Sequence, residues 1–338
     1  GGAHEGDVLQ RAGADPVGVG RHDRLRDRRE LPVGPEAVDE RERLQQRADA
    51  LKWILVSCFG YQGYRNAKFG RIECHEAINA VARELMLDAK AQLEAGGWQV
   101  VHGIVDSLWV TPREANPTPL ATLCTAISDD CGIPLEHEND FDWVAFVPKR
   151  DAEAGALTKY FGAVREPAQS TAEYKIRGIE TRQRSTPTYI ATVQERLIER
   201  YDETRQPQAV VRALADALAT LRAGEVAPSE FVTTVRISQP LAAYDQATHT
   251  VAALKRLRDQ GLSRSPGQDV EYVVVDDAAT GGARVRLPHE SPTTYDIDHY
   301  SQALIRAGVS VLAPLGYDER TLRQALRDTT DQTLDAYQ

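Results

Sequence analysis

The chain contains 338 residues with 50 acidic and 40 basic side chains, which give a formal net charge of −10. A chain of this length can form two or three domains with hydrophobic cores of their own. No apolar run approaches the roughly 20 residues of a membrane span, and no export signal is visible, so we expect a cytoplasmic protein without membrane association. Only seven of the basic residues are lysines. This acid excess with few lysines favours a salt-adapted source.

The first predicted elements combine helices with a hairpin. Residues 1–38 are rich in Gly, Arg and Pro, and we expect a flexible or non-native leader there. The sequence predicts a helix from 39 to about 60 and a second helix at 72–95, which the Gly96-Gly97 pair ends. The β-prone segments 97–100 and 108–110 predict a hairpin.

The remaining elements define the fold class. A helix is predicted at about 119–130, strands at 141–148, 174–179 and 271–275, and further helices at 192–202, 207–223, 247–260, 299–312 and 319–336. An antiparallel sheet with helices on one side, followed by a largely helical region, is an α+β fold. The four cysteines lack Cys-x-x-Cys or zinc-finger spacing, which predicts free thiols.

One face of the first predicted helix combines a cation with an apolar surface. Lys52, Val56, Phe59 and Gly60 have helical spacing and therefore share a side of the helix. A nucleoside triphosphate opposite a template base requires charge for its phosphates, a flat surface for the base pair and room for the template backbone. The alternative interpretation is an ordinary buried amphipathic helix whose lysine reaches solvent.

A single acid lies at the turn of the predicted hairpin. Asp106 is followed by Ser107, between the two β-prone segments. Phosphoryl transfer to a hydroxyl is helped by paired divalent ions, and hard ions prefer carboxylate oxygens. Asp106 is therefore a candidate metal ligand. An Asp-Ser pair after a strand is also a common turn, and that interpretation remains open.

In this order and at about this separation, the two segments resemble two of the three polymerase motifs of family-B DNA polymerases. The helical motif of the family is Lys, three residues, then Asn-Ser-x-Tyr-Gly. Lys52, Ser57 and Gly60 match it, whereas Phe59 stands in place of Tyr and Val56 in place of Asn. The resemblance implies that Lys52, Ser57, Phe59 and Gly60 bind the incoming nucleotide.

The second family motif, Tyr-x-Asp-Thr-Asp-Ser, is matched only in its last two positions. Asp106 and Ser107 are retained, while His102 replaces Tyr, Ile104 replaces the first Asp and Val105 replaces Thr. The resemblance implies that Asp106 is a catalytic ligand of Mg²⁺ in a two-metal site. The remaining motif, Asp-x-x-Ser-Leu-Tyr-Pro, supplies the other metal-binding Asp, and no segment before Lys52 resembles it. We therefore expect this metal site to be incomplete in the chain.

Further segments resemble the family in the same order. Lys159-Tyr160-Phe161-Gly162 resembles the end of an element near the primer terminus, and 174–187 resembles the strand that leads from palm to thumb. Later matches lie at 241–244, 249–253, 266–273, 295–300 and 314–317. The resemblance implies contacts to primer-template DNA by Lys159, Tyr160, Gly162, Lys175, Arg177, Gly178 and Arg184. It divides the chain into a leader (1–38), partial fingers (39–62), palm (63–186) and thumb (187–338).

The net charge of −10 is at odds with DNA binding, so local basic groups would have to carry it. Lys175, Arg177, Arg182 and Arg184 form the best candidate, because strand alternation places Lys175 and Arg177 on one face. A solvated charged strand edge is the alternative interpretation of this cluster.

The resemblance implies template-directed addition of deoxynucleotides, supplied as triphosphates, to a primer 3′ end. Because the first motif is missing, we expect little activity from the chain alone. Two other hypotheses remain: a non-catalytic accessory protein that binds primer-template duplex, or one subunit of a split enzyme. In the split enzyme a second polypeptide would carry the exonuclease and the missing Asp.

Overall fold

The computed structural model describes residues 17–20, 35–149, 152–165 and 174–335. These residues fall into two compact units. The N-terminal unit contains the described residues up to 143 together with 164 and 165, and the C-terminal unit contains 144–149, 152–163 and 174–335. The division falls inside a long strand, β4.

The N-terminal unit consists of antiparallel strands and three helices. Its elements are β1 (Val17–Gly20), α1 (Pro35–Gly63), α2 (Ile72–Ala95), β2 (Trp98–Ile104), β3 (Ser107–Pro112), α3 (Leu120–Cys131) and the first part of β4 (Glu136–Lys149). Strands β2 and β3 form the predicted hairpin, with Ile104 opposite Ser107. Strand β1 pairs antiparallel with β3 on one side and with β4 on the other.

The core of this unit lies between α2, α3 and the hairpin. Its buried members are Ala89, Leu93, Trp98, Leu108, Val110, Leu120, Cys124 and Ile127. Helix α2 ends at the predicted glycine pair, where Gly97 has φ of +89°, and α3 ends at Gly132 with φ of +68°. Both glycines supply the left-handed backbone that ends a helix.

The C-terminal unit begins with a strand pair and continues with helices around a small sheet. Its elements are β5 (Ala152–Val164), β6 (Tyr174–Arg177), α4 (Thr188–Thr204), α5 (Pro207–Arg222), β7 (Thr233–Arg236), α6 (His249–Asp259), β8 (Asp269–Val274), β9 (Val285–Arg286), α7 (Ile297–Leu312) and α8 (Glu319–Asp335). Strands β5 and β6 are antiparallel, and β7, β8 and β9 form an antiparallel sheet in that order.

A buried amide organises the helices of this unit. Gln194, on α4, is fully buried, and its Nε2 donates to Glu180 Oε2 at 2.7 Å and to the Ala307 carbonyl on α7 at 2.9 Å. Its Oε1 accepts a hydrogen bond from the Thr181 backbone at 2.7 Å. Ser310 donates to the other oxygen of Glu180 at 3.0 Å. The network therefore fixes the segment after β6 against both α4 and α7.

The α+β class predicted from the sequence is confirmed, and two differences stand out. Val17–Gly20 forms a strand inside the stretch that we expected to be a flexible leader, and the rest of that stretch before residue 35 lies outside the described residues. Strand β5 was not predicted as a regular element. None of the described helices combines the length and apolar character that crossing a bilayer requires.

Gly178 gives the first testable prediction, because its position demands the absence of a side chain. Its φ is +69°, and a Cβ there would lie 2.1 Å from the Thr158 carbonyl oxygen. Left-handed strain and this clash should together lower the free energy of unfolding of Gly178→Ala by roughly 2–4 kcal/mol. Chemical denaturation measures the change.

The matched control is Gly224→Ala, where φ is +74° but nothing lies within 4 Å of the added Cβ. This variant should lose only the left-handed penalty, about 1–2 kcal/mol. Equal losses in the two variants would show that the close approach to Thr158 is unimportant.

Candidate functional site

Asp106 lies at the tip of the β2–β3 hairpin. The turn consists of two residues, Val105 and Asp106, and both side chains are exposed. The Asp106 carboxylate receives one long contact, 3.5 Å, from the Ser107 hydroxyl. Val105 has φ of +57°, which is unfavourable for a β-branched residue. A two-residue hairpin turn ordinarily requires positive φ at its first residue, so the turn itself is common and the β-branched side chain at that position is its unusual feature.

The nucleotide-binding candidates on α1 share an exposed surface. Every residue from 51 to 60 is exposed, including Lys52, Ser57, Phe59 and Gly60, so the alternative of a buried amphipathic helix is wrong. The Phe59 ring contacts the His75 ring of α2, with centroids 4.2 Å apart and the ring planes tilted by 30°. No atom lies within 4 Å of the position that a Cβ on Gly60 would take. The predicted gap is therefore present beside the aromatic ring.

Four of the predicted DNA-contacting residues lie together on the β5–β6 pair. Tyr160 is directly opposite Arg177, and Gly162 is directly opposite Lys175. Directly opposed residues of antiparallel strands project to the same face, so these four define one surface, the β5–β6 face. Lys159 projects to the other face because side chains alternate along a strand.

The members of the β5–β6 face differ in exposure. Arg177 is exposed and Lys175 is half-buried. Tyr160 is buried, and its ring lies 5.7 Å from that of Phe146. Gly162 is buried and leaves the space opposite Lys175 without a side chain. The two basic residues therefore lie beside a buried aromatic ring and a buried glycine on the same face of the strand pair.

The sequence predicted that Arg184 and Gly178 contact DNA together with Lys175 and Arg177, but neither residue lies on the β5–β6 face. The Arg184 guanidinium is exposed but forms an ion pair with Asp269, which also lies 3.5 Å from the Arg236 Nε. Gly178 has a structural reason to be glycine, because its φ is positive and a Cβ there would clash with the Thr158 carbonyl oxygen. Arg177 and Lys175 share one face of the strand pair, and they are therefore the stronger candidates for phosphate contacts.

A second polar cluster, which the sequence did not predict, lies in the C-terminal unit. His249 Nε2 is 2.7 Å from Asp277 Oδ1, and His299 Nδ1 is 3.5 Å from Asp277 Oδ2. Arg284 pairs with the same carboxylate. Its hydrogen bond holds the pKa of Asp277 at about 2, and burial lowers the pKa of His299. The signal available in sequence was only two histidines at the starts of predicted helices.

The residues around Asp106 do not fit the two-metal site that the family resemblance implies. A pair of divalent ions needs several oxygen ligands, yet the hairpin tip offers one exposed carboxylate, with Ile104 at the position of the family's first Asp. Among the residues that the structure describes, His249, Asp277 and His299 form the one group of three His, Cys, Asp or Glu side chains whose ligand atoms lie close enough together to hold a metal ion.

The chain is similar to archaeal DNA polymerases along most of its length. It is 24% identical to the DNA polymerase of Pyrococcus glycovorans over 291 residues, which cover 84% of this chain and 36% of that protein. It is 22% identical to the DNA polymerase of Archaeoglobus fulgidus over 327 residues, covering 90% of this chain and 40% of that protein. A stretch of 107 residues, 32% of the chain and 16% of the relative, is 35% identical to DNA polymerase 2 of Saccharolobus solfataricus.

The fold of the chain is also similar to part of a solved DNA polymerase structure. The structure of the family B DNA polymerase from Pyrobaculum calidifontis matches with a TM-score of 0.54 and 22% identity, covering 86% of this chain and 36% of that one. No protein-family model matches the chain. The chain is thus similar in sequence to archaeal DNA polymerases over most of its length and shares the fold of part of a family B DNA polymerase, and it spans 36% of the length of its Pyrococcus relative.

The strained turn yields a prediction that is independent of catalysis. Val105→Gly should raise the free energy of unfolding by roughly 0.5–1 kcal/mol, since glycine tolerates positive φ and Val105 is 81% exposed. Urea denaturation of the purified variant measures the change. Val101→Gly, inside strand β2, is the control and should be destabilising. A loss of stability in Val105→Gly would mean that the valine side chain stabilises the turn.

Proposed function

We propose that this chain is the fingers-helix, palm and thumb portion of a family-B DNA polymerase, which adds deoxynucleotides to a primer 3′ end. The observation that carries the proposal is the exposed Asp106 at a two-residue hairpin tip, within a chain homologous to these enzymes. We infer partial fingers at 39–62, palm at 63–186 and thumb at 187–338. The ends of α1 at Gly63 and the start of α4 at Thr188 support these boundaries.

The nucleotide would bind along the exposed face of α1. Lys52 would neutralise phosphate charge, and the ring of Phe59 would provide a flat surface for the nascent base pair. The open space at Gly60 leaves room for the template backbone to approach. Ser57 would add a hydroxyl on the neighbouring turn. The exposure of this helix is what makes all four groups accessible.

The primer-template duplex would contact the β5–β6 face and the residues next to it. Arg177 and Lys175 would contact phosphates, while Tyr160 and Gly162 shape the surface that carries them. Lys159, Gly178 and Arg184 would lie at the margins of this interface. Backbone contacts of this kind position a duplex without reading its sequence.

We infer that catalysis needs a carboxylate in addition to Asp106, because one exposed acid cannot align two divalent ions. A region that carries the family's first motif and the exonuclease, in a longer form of this chain or in a second polypeptide, would supply it. The replacement of the first hairpin Asp by Ile104 favours a second candidate function, a non-catalytic protein that binds primer-template duplex. The two candidates differ in whether activity returns when the missing region is supplied.

A chimaera tests the role of Asp106. In it, the part of the Pyrococcus glycovorans DNA polymerase that precedes its similarity to this chain is fused to residues 39–338 of this chain. The purified chain should extend a primer very little with Mg²⁺ and all four deoxynucleoside triphosphates, and the chimaera should extend it readily. Asp106→Asn should abolish extension by the chimaera with unchanged folding, because a metal ligand is removed. Primer extension measures both.

Asp129→Asn is the matched control, because it removes an exposed acid from α3. It should leave extension unchanged. A folded chimaera that is inactive with Asp106 intact would favour the accessory function. Near-parental turnover of the Asp106→Asn chimaera would show that Asp106 is only a turn residue.

The β5–β6 face predicts how DNA binding depends on salt. Lys175→Ala/Arg177→Ala should weaken primer-template binding equally for different sequences, and it should reduce the slope of log K against log salt by about 0.9 for each phosphate that is no longer neutralised. Arg184→Ala should have a smaller effect because Arg184 is already paired with Asp269. Fluorescence anisotropy over a salt series measures both quantities.

Arg212→Ala/Arg320→Ala removes the same charge from exposed positions on α5 and α8 and serves as the control. It should leave the slope unchanged. If both double variants bind alike, the β5–β6 face is not the DNA-binding surface.

A further inference from the structure

Three elements of the C-terminal unit bring metal-binding side chains together. His249 is the first residue of α6, Asp277 follows β8, and His299 lies in the first turn of α7. One ligand atom from each lies within 4.8 Å of the others. The two imidazole rings meet edge to face with centroids 5.0 Å apart. The residues are far apart in sequence, so the fold itself creates the cluster.

Asp296 holds this arrangement in place. One of its carboxylate oxygens accepts the backbone amide of His299 at 2.8 Å and so caps α7. The other accepts the backbone amide of Asp277 at 2.6 Å. A single side chain therefore fixes two of the three residues relative to each other. Support of this kind orients metal ligands in proteins.

Hydrogen bonding alone does not satisfy the cluster. His249 Nε2 lies 2.7 Å from Asp277 Oδ1 and 2.9 Å from Arg284 Nη2. The first contact requires Nε2 to carry a proton, and the second requires Nε2 to offer a lone pair. No single tautomer of His249 can satisfy both contacts. A cation bound to the Nε2 lone pair and to the carboxylate would remove this conflict.

We propose that His249, Asp277 and His299 form a binding site for a divalent transition-metal ion of the zinc class. Two imidazole nitrogens and one carboxylate are typical zinc ligands, whereas Mg²⁺ and Ca²⁺ require mainly oxygen ligands. The ligand atoms are His249 Nε2, His299 Nδ1 and the oxygens of Asp277. Burial lowers the pKa of His299 and so favours the neutral ring, whose lone pair can bind a metal ion.

The surroundings leave the coordination sphere open on one side. Both histidines line a cavity of about 440 Å³ together with Thr233 and Tyr272. Water from this cavity completes the coordination of the ion. The bound ion joins α6, the loop after β8 and α7, and so it stabilises the C-terminal unit independently of polymerase chemistry.

Arg284 is the competitor of the metal ion. Its Nη1 donates to the Ala247 carbonyl at 2.7 Å, which keeps the guanidinium beside Asp277. In the metal-free chain this positive charge neutralises the carboxylate. When the ion binds, the Arg284 guanidinium loses its contact with His249 Nε2 but keeps its ion pair with Asp277. Its positive charge then weakens metal binding. Removal of the Arg284 charge should therefore strengthen metal binding, whereas removal of a ligand should weaken it.

Zn²⁺ titration of the purified, chelator-treated chain tests the proposal. Because Cys58 and Cys74 are exposed thiols, all variants carry Cys58→Ser and Cys74→Ser. Calorimetry should show one Zn²⁺ per chain and a raised unfolding temperature, with no effect of Mg²⁺ at the same concentration. His299→Ala should weaken binding by roughly tenfold or more, because loss of a ligand should exceed loss of a supporting group. The control His289→Ala, outside the cluster, should bind as the parent.

Arg284→Gln gives the decisive comparison, since it removes the competing cation and leaves the three ligands. It should bind Zn²⁺ several-fold more tightly than the parent, and Co²⁺ should give an absorption spectrum typical of mixed nitrogen and oxygen ligands. Circular dichroism checks that each variant folds. The proposal is overturned if neither the parent nor Arg284→Gln binds Zn²⁺, or if His249→Ala and His299→Ala both bind it as the parent does.

Discussion

The buried amide of Gln194 is the interaction on which the C-terminal unit depends. An amide inside a packed core is tolerated only when its donors and its acceptor are all satisfied, and here they bind Glu180, Ala307 and Thr181. These partners belong to the segment after β6 and to α7, whereas Gln194 belongs to α4. The segment that carries the basic strand is thereby tied to the helices. Removing one partner would leave the others unsatisfied in an apolar environment.

The Gln194 network also restricts the basic strand β6, because Glu180 lies close to Arg177 in the sequence. Glu180 follows Arg177 by three residues, and Gly178 between them must approach the Thr158 carbonyl closely. Strand β6 is thus fixed at its C-terminal end by a positive-φ glycine and by the Gln194 network. Arg177 therefore projects from a backbone with little freedom. A rigid support reduces the entropy that ordering a phosphate contact would cost.

The sequence predicted features that depend on neighbouring residues and missed those that depend on distant ones. The β2–β3 hairpin and the glycine end of α2 follow from local patterns, and the structure has them. The opposition of Tyr160 to Arg177 depends on the register of β5, which has no clear alternating pattern. The Arg184 pair with Asp269 spans 85 residues, and the Asp277 cluster joins three elements, so neither has a local signal. Strand β1 has only four residues, two of them glycines, so its two valines are too short a pattern to predict a strand.

Because the chain has a net charge of −10, salt has two opposing effects on the affinity of any binding to DNA. Release of counterions from phosphates weakens binding as salt rises, in proportion to the number of phosphates neutralised. Screening by the same salt removes the long-range repulsion between DNA and the 50 acidic side chains, because the Debye length falls to about 3 Å at 1 M. Direct phosphate contacts at the proposed β5–β6 face would act at about this distance, whereas repulsion from most of the acids would have to act over longer distances. An acidic chain with a small rigid basic face should therefore lose less affinity with salt than its phosphate contacts alone would imply.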